Sequence, residues 1–361
     1  MKTMIPTRTW LPVLLCTLLA APLSGCDVLG GLTGADEEDA DTVRLYPVQL
    51  DGEWGYINDN GRITIEPQYQ LAGPFRDGRA HVYDNWRHGF IDEAGEWVVE
   101  PRFQDARSFS EGLAAVKMDG RWGYIDRSGS FAINPQFREP GDFSEGRAFV
   151  RDASYEWNYI DTRGQIIRSV DTPELTAPEE PHFSAGLALI RDEDQEAYGY
   201  IDREARPVIP LQYPAARAFS DGLAAVRISD RWGYINTNRE TVINPRYIEA
   251  GNFREGLAPV RENTNTWGFA DKNGRMVIEP QFDEARSFSE GLAAVQLYGL
   301  WGFVDKSGRM VVEPQFQEVG DFEKGLALIR VELPDPERDD RTITRYGYID
   351  REGAYVWYPT N

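Results

Sequence analysis

Short runs of alternating side chains, each closed by a turn, fill the chain from residue 44 onward. In the stretch WGYID (122–126), Trp and Tyr fall on one side of an extended strand, and Gly and Ile on the other. The preceding run LAAVKM (113–118) reads as a second strand, joined to the first through a tight turn at 119–121. On the far side, DRSG (126–129) has Asp first and Gly fourth, which suits a type I turn closed by a left-handed glycine. A third strand of the type RMVIEPQF (275–282) follows such a turn. The pattern therefore predicts a three-stranded antiparallel meander.

The same unit recurs. An aromatic, a glycine, an aromatic, an aliphatic and Asp or Asn stand at 54–58, 122–126, 232–236, 267–271 and 301–305, with variants at 88–92, 157–161, 198–202 and 346–350. Two further phrases keep the same beat. One has the form IEPQF (278–282), and the other the form FSEGLAAV (109–116), with RSFSEGLAAV repeated letter for letter at 107–116 and 286–295. Nine copies at a period near 34 residues, with two longer steps, mean tandem repeats with insertions. The glycine of the FSEG turn is expected at positive φ. The recurring proline cannot donate to a ladder, so it belongs on an edge strand and keeps each small sheet separate. The aromatic positions are then the core between neighbouring copies.

These three phrases, in fixed order over nearly all of 44–361, resemble the WG-repeat (KWG-repeat) family. The resemblance implies a bacterial envelope or secreted protein, or a recognition module, without known catalysis. Copy four departs most, with Asn158 in place of Gly and the proline phrase lost within 165–183; copy five has its proline displaced by one, in VIPLQY (208–213). The fold class expected is all-β. Nine units exceed the four to eight blades typical of a β-propeller, and no unit is split between the termini, so the expectation is an open, curved solenoid rather than a closed ring.

Composition changes the picture in two places. The formal charge is −21, which excludes nucleic acid as a partner and disfavours adsorption to anionic lipid. Lys2 and Arg8 precede an apolar run at 11–23, too short to span a bilayer and of signal-peptide length. It ends in LSGC (23–26), which resembles the bacterial lipobox and implies cleavage before Cys26 and lipidation of that residue. The expected organisation is a signal peptide at 1–25, a lipidated Cys26 with an acidic tether at 26–43, and the repeat array at 44–361. Asp27 resembles the inner-membrane retention signal of Gram-negative lipoproteins. With Cys16 removed and Cys26 lipidated, no disulfide is expected in the mature chain.

No metalloprotease, hydrolase, phosphate-loop or calcium-loop spacing is present, and none of His81, His88 and His182 has a cysteine partner. His88 takes a position that is Trp in other copies and reads as a core substitute. No catalytic residue, metal or cofactor is expected. Features unique to single copies remain as candidates for binding. Where copy three has Asp119-Gly120 at a hairpin tip, three copies carry the aromatics Trp86, Tyr155 and Tyr298. Such a ring could anchor a protein or stack on a sugar, or simply pack on the next copy. The insertions at 168–182, 192–197 and 332–344 are further candidates, with DPERDDR (335–341) read as an exposed charged loop. The expected function is a lipid-anchored, non-enzymatic scaffold on the periplasmic side, binding an envelope protein or complex. The alternative is a module for cell-wall or capsule polysaccharide.

Overall fold

Every copy turns twice through left-handed residues, and this closes its strands into one small sheet. In copy three, Ser110 and Leu113 exchange both backbone hydrogen bonds around Glu111 (φ 52°) and Gly112 (φ 80°), a two-residue turn matched to the strand twist. After the WGYID strand, Asp126 accepts the N–H groups of Ser128 and Ser130 with its carboxylate, and Gly129 closes the turn at φ 83°. The expected strands are found at Leu113–Met118, Arg121–Asp126 and Phe131–Phe137.

The computed structural model describes residues 44–167, 182–192, 196–263, 265–335 and 338–360. The signal peptide, Cys26 and the tether lie outside the described residues, as do 168–181 of the first insertion and 193–195 of the second. The described residues form nine antiparallel sheets, called blades 1 to 9, at 45–69, 71–103, 105–137, 147–167, 183–213, 223–247, 249–282, 284–316 and 318–360. Six of them have a fourth strand not expected from the sequence. In five of these the linker before the FSEG turn adds a two-residue strand such as Asp105–Ala106, paired with Lys117 and Val116, and in blade 5 the extra strand is Phe183–Ser184 of the turn itself. In blades 4 and 6 it shrinks to a single bridge, Glu139 with Arg151 and Ala216 with Val226.

The array is a closed ring, a nine-bladed propeller, and not the open solenoid expected from the copy count. Nine sheets in an open row have eight interfaces. Here nine apolar clusters each join two successive sheets, and the ninth joins blade 9 to blade 1 through Leu326 and Tyr348 against Tyr46, Val48 and Ile57. Tyr348 packs on Tyr46 at 5.5 Å between ring centroids and donates its hydroxyl to the Pro47 carbonyl at 3.0 Å. Closure needs no split unit because blade 1 brings three strands of its own.

The other eight interfaces share one device. The Phe of each FSEG-type turn meets, edge to face, the second aromatic of the preceding blade's WG phrase; Tyr56–Phe75 (4.8 Å) and Phe303–Phe322 (4.7 Å) are two of the eight. The turn carboxylate also reaches forward. The N–H of Gly112 donates to Asp77, that of Gly146 to Glu111, that of Gly256 to Asp221 and that of Gly325 to Glu290, all at 2.7–2.8 Å. The serine of the same turn donates to the next blade's Phe carbonyl, as Ser110 does to Phe143 and Ser289 to Phe322. A phrase that reads as a turn signal is therefore also the clasp between blades.

The proline lies inside the outermost strand, at a bulge. Trp301 pairs with Phe316 but Phe303 with Val312, so two extra residues bow out around Pro314. The bow lies directly over the WG glycine: a Cβ on Gly302 would sit 2.3 Å from the Val312 carbonyl oxygen and 2.8 Å from the Pro314 nitrogen. In blade 4 the described part of the outer strand is Ile166–Ile167, and there Asn158 is accommodated, bonded to Asp152 and the Glu156 carbonyl.

Candidate functional site

Antiparallel order puts the FSEG and Asp-x-x-Gly turns at one end of the ring, and the tips between the LAAV-type and WG-type strands at the other. Trp86, Tyr155 and Tyr298 all stand at that tip end, on blades 2, 4 and 8, so no two share a blade. Trp86 is 76 % exposed, Tyr155 57 % and Tyr298 94 %. All three hold left-handed backbone, at φ 65°, 68° and 54°. Trp86 occupies the second position of a two-residue turn in which blades 1, 3 and 8 have Gly52, Gly120 and Gly299. Tyr155 closes an Asp-Ala-Ser-Tyr turn, its N–H bonded to the Asp152 carbonyl at 3.1 Å, where the analogous turn has Gly129. Tyr298 replaces the Asp of Asp119-Gly120 and is held by its N–H to Asp283 at 2.7 Å. A bulky side chain in this region is rare and strained, whereas glycine or aspartate fits it readily.

The rings are not equivalent. The Arg138 guanidinium lies 3.6 Å from the centroid of Tyr155, so one face of that ring is already covered. Blade 9 changes the same end in another way. Its tip hairpin, Ala327–Asp335 with Arg338–Ile349, is paired out to Pro334 and Thr342 and beyond. Of the charged stretch 335–341, expected as a loop, Asp335 and 338–341 belong to the strands of this ribbon.

His88 lies half-buried against Tyr83, and its neighbour His81 is more deeply enclosed, with Ser108 Oγ 3.4 Å from its Nδ1. Burial first, and His88 second, push His81 down to about 4 from 6.5. A lowered histidine value stabilises the fold above the unfolded value, and that contribution is lost as pH falls from 6.5 towards 4. The expected loss is about 3 kcal/mol. Urea unfolding at pH 7 and pH 4 should show it, and His81→Gln should remove that portion of the difference. An unchanged pH dependence in His81→Gln would rule the histidine out as its source. Among the described residues no cluster of three or more His, Cys, Asp or Glu side chains has metal-holding geometry.

The sequence reading missed a second group. The FSEG turns of blades 2, 7 and 9 are rewritten as FRDG (75–78), FREG (253–256) and FEKG (322–325), and the structure brings Arg76, Arg254, Glu323 and Lys324 around one cavity at the turn end. The signal was available as departures from a repeated phrase at a turn position.

A family profile described as WG containing repeat matches residues 54–85, 89–122, 122–153, 198–232, 232–264, 267–301 and 301–332, well over half of the chain. The chain belongs to the WG-repeat family. The longest internal gap in the match, 153–198, covers the copy with Asn158 and no proline phrase, yet this WG-repeat ring keeps sheets there too. No curated protein matches the chain. Among solved structures, a eukaryotic initiation factor is 10 % identical with a TM-score of 0.58, covering 88 % of this chain and 97 % of its own. That likeness shows the fold alone. The computationally designed Ika8 protein (11 % identity, TM-score 0.44, 80 % and 95 % covered) and BamB from Moraxella catarrhalis (10 %, 0.40, 83 % and 95 %) are more distant in shape.

Proposed function

We propose that this WG-repeat protein is a non-enzymatic scaffold, held in the cell envelope by lipid on Cys26, whose tip end binds an envelope protein. The reading rests on one observation. Exposed aromatics stand at left-handed positions where sister copies use Gly or Asp. Strain of this kind costs of order 1–3 kcal/mol per residue and is characteristic of sites kept for a purpose other than stability. Aromatic anchors are also the residues that dominate protein interfaces. The acids a hydrolase would draw on are otherwise engaged, since Asp126, Asp202, Asp271 and Asp305 each accept two backbone N–H groups of their own turns. A polysaccharide is the second reading, favoured by the open ring faces of Trp86 and Tyr298.

The test uses Trp86→Gly with Tyr298→Asp, which restores residues that sister tips carry. The double variant should be about 1 kcal/mol more stable to urea, because relief of left-handed strain outweighs the freedom glycine adds to the unfolded chain. In cross-linked pull-downs from the native envelope, the lipidated wild type should hold a discrete protein that the variant loses. Capture of glycan in its place would transfer the reading to polysaccharide. Equal capture by both proteins would remove the tips from the account.

A further inference from the structure

We propose that the cavity at the closure of the ring binds a small organic anion with an apolar body, a carboxylate or phosphate head on an acyl or aromatic framework. The tips lie at the opposite end, so this inference stands apart from the protein-binding reading.

The cavity exists because the turns do not complete the circle. Nine blades carry only eight Phe-x-x-Gly turns, and blade 1 has none. Beside that turnless blade, the turns of blades 2 and 9 reach each other directly through an ion pair between Arg76 and Glu323. The space left is about 600 Å³, within the range of small-molecule sites.

Its charge is opposite to that of the molecule. Arg76, Arg254, Arg286 and Lys324 line it against only Asp321 and Glu323, in a chain of net charge −21. Arg76 is matched by Glu323, and Arg254 by Asp321 at 3.6 Å. Arg286 donates to the Val319 carbonyl at 2.6 Å and lies over Trp301. The Lys324 ammonium reaches only the Phe75 carbonyl, at 3.4 Å, and no described carboxylate pairs with it. Burial, then Arg76, lowers its affinity for its proton, with Glu93 opposing more weakly. The remaining wall is apolar, with Phe75, Phe322, Leu328 and the rings of Tyr46 and Tyr348.

These cations are departures from the repeat, two of them at the expense of a clasp. Arg76 and Arg254 stand where five sister turns have Ser, and Lys324 stands where six have Asp or Glu. The two arginines each forgo an inter-blade hydrogen bond such as Ser289 to Phe322, whereas Lys324 faces blade 1, which offers no turn glycine for a carboxylate to reach. The three departures converge on one cavity, and together they supply what an anionic head requires.

Calorimetric titration of the purified full chain with decanoate, decyl phosphate, 1-decanol and inorganic phosphate tests this. Decanoate or decyl phosphate should bind one to one, and the stronger of the two identifies the head group. The alcohol, lacking charge, and inorganic phosphate, lacking a body, should each bind at least tenfold more weakly. Lys324→Glu and Arg254→Ser restore sister residues, so each should fold with an unchanged or higher urea midpoint and each should weaken the preferred anion tenfold or more. Failure of both anions to bind wild type, equal binding of 1-decanol, or undiminished binding in both variants would overturn the proposal.

Discussion

Gly302→Ala should destabilise the ring by about 3 kcal/mol or more, while Asn158→Gly, at the equivalent position of blade 4, should cost only about 1 kcal/mol. The contrast follows from the bulge. At Gly302 the added carbon meets backbone atoms of Val312 and Pro314, which cannot rotate away as a side chain would. Relief would require straightening the outer strand, which would break the pairing of Trp301 with Phe316. In blade 4 the proline phrase is absent from the sequence, and Asn158 fits there with polar partners of its own. Equilibrium urea unfolding of the two variants beside wild type decides the matter. Similar costs for both would show that the bulge is not the cause.

Tyr348→Ala should cost about 3–5 kcal/mol, the usual range for deleting a large buried ring, and should leave a single unfolding transition. Tyr348 is nearly buried at the joint between the last blade and the first, packed on Tyr46 and bonded to Pro47. An open repeat array loses its terminal units first, because each end has one neighbour. A ring has no end unit, so in the wild type the amides of Leu45–Leu50 should exchange with protection comparable to those of Leu223–Ile228, at the centre of the sequence. In Tyr348→Ala the first strand should become the least protected. If that strand already exchanges quickly in the wild type, the joint does not hold in solution.

Much of the blade was legible in the residues. The three long strands, the Asp-x-x-Gly turn and the left-handed glycine of FSEG follow from alternation and turn chemistry, which are local. The short first strand was not, because two residues such as Glu284-Ala285 carry no period of their own. Closure was not, because it depends on Tyr46, which stands where sister strands have Ala, and because copy number alone says nothing of curvature. The tip aromatics were legible as copy-specific residues, but their left-handed backbone was not. The cavity was hidden for a different reason. Arg76, Arg254 and Lys324 are scattered along the chain, and only the ring brings blades 2, 7 and 9 to one place.

Blade 1, with no Phe-x-x-Gly turn, also bears on recognition. A ring of nine interchangeable units would offer a bound molecule nine equivalent registers, and fixing one of them would require about 1.3 kcal/mol of discrimination. The bare blade breaks that degeneracy. It acts as a keyway, giving the ring a definite azimuth, so that whatever docks at either end meets the odd residues of blades 2, 8 and 9 at set angles rather than at random ones.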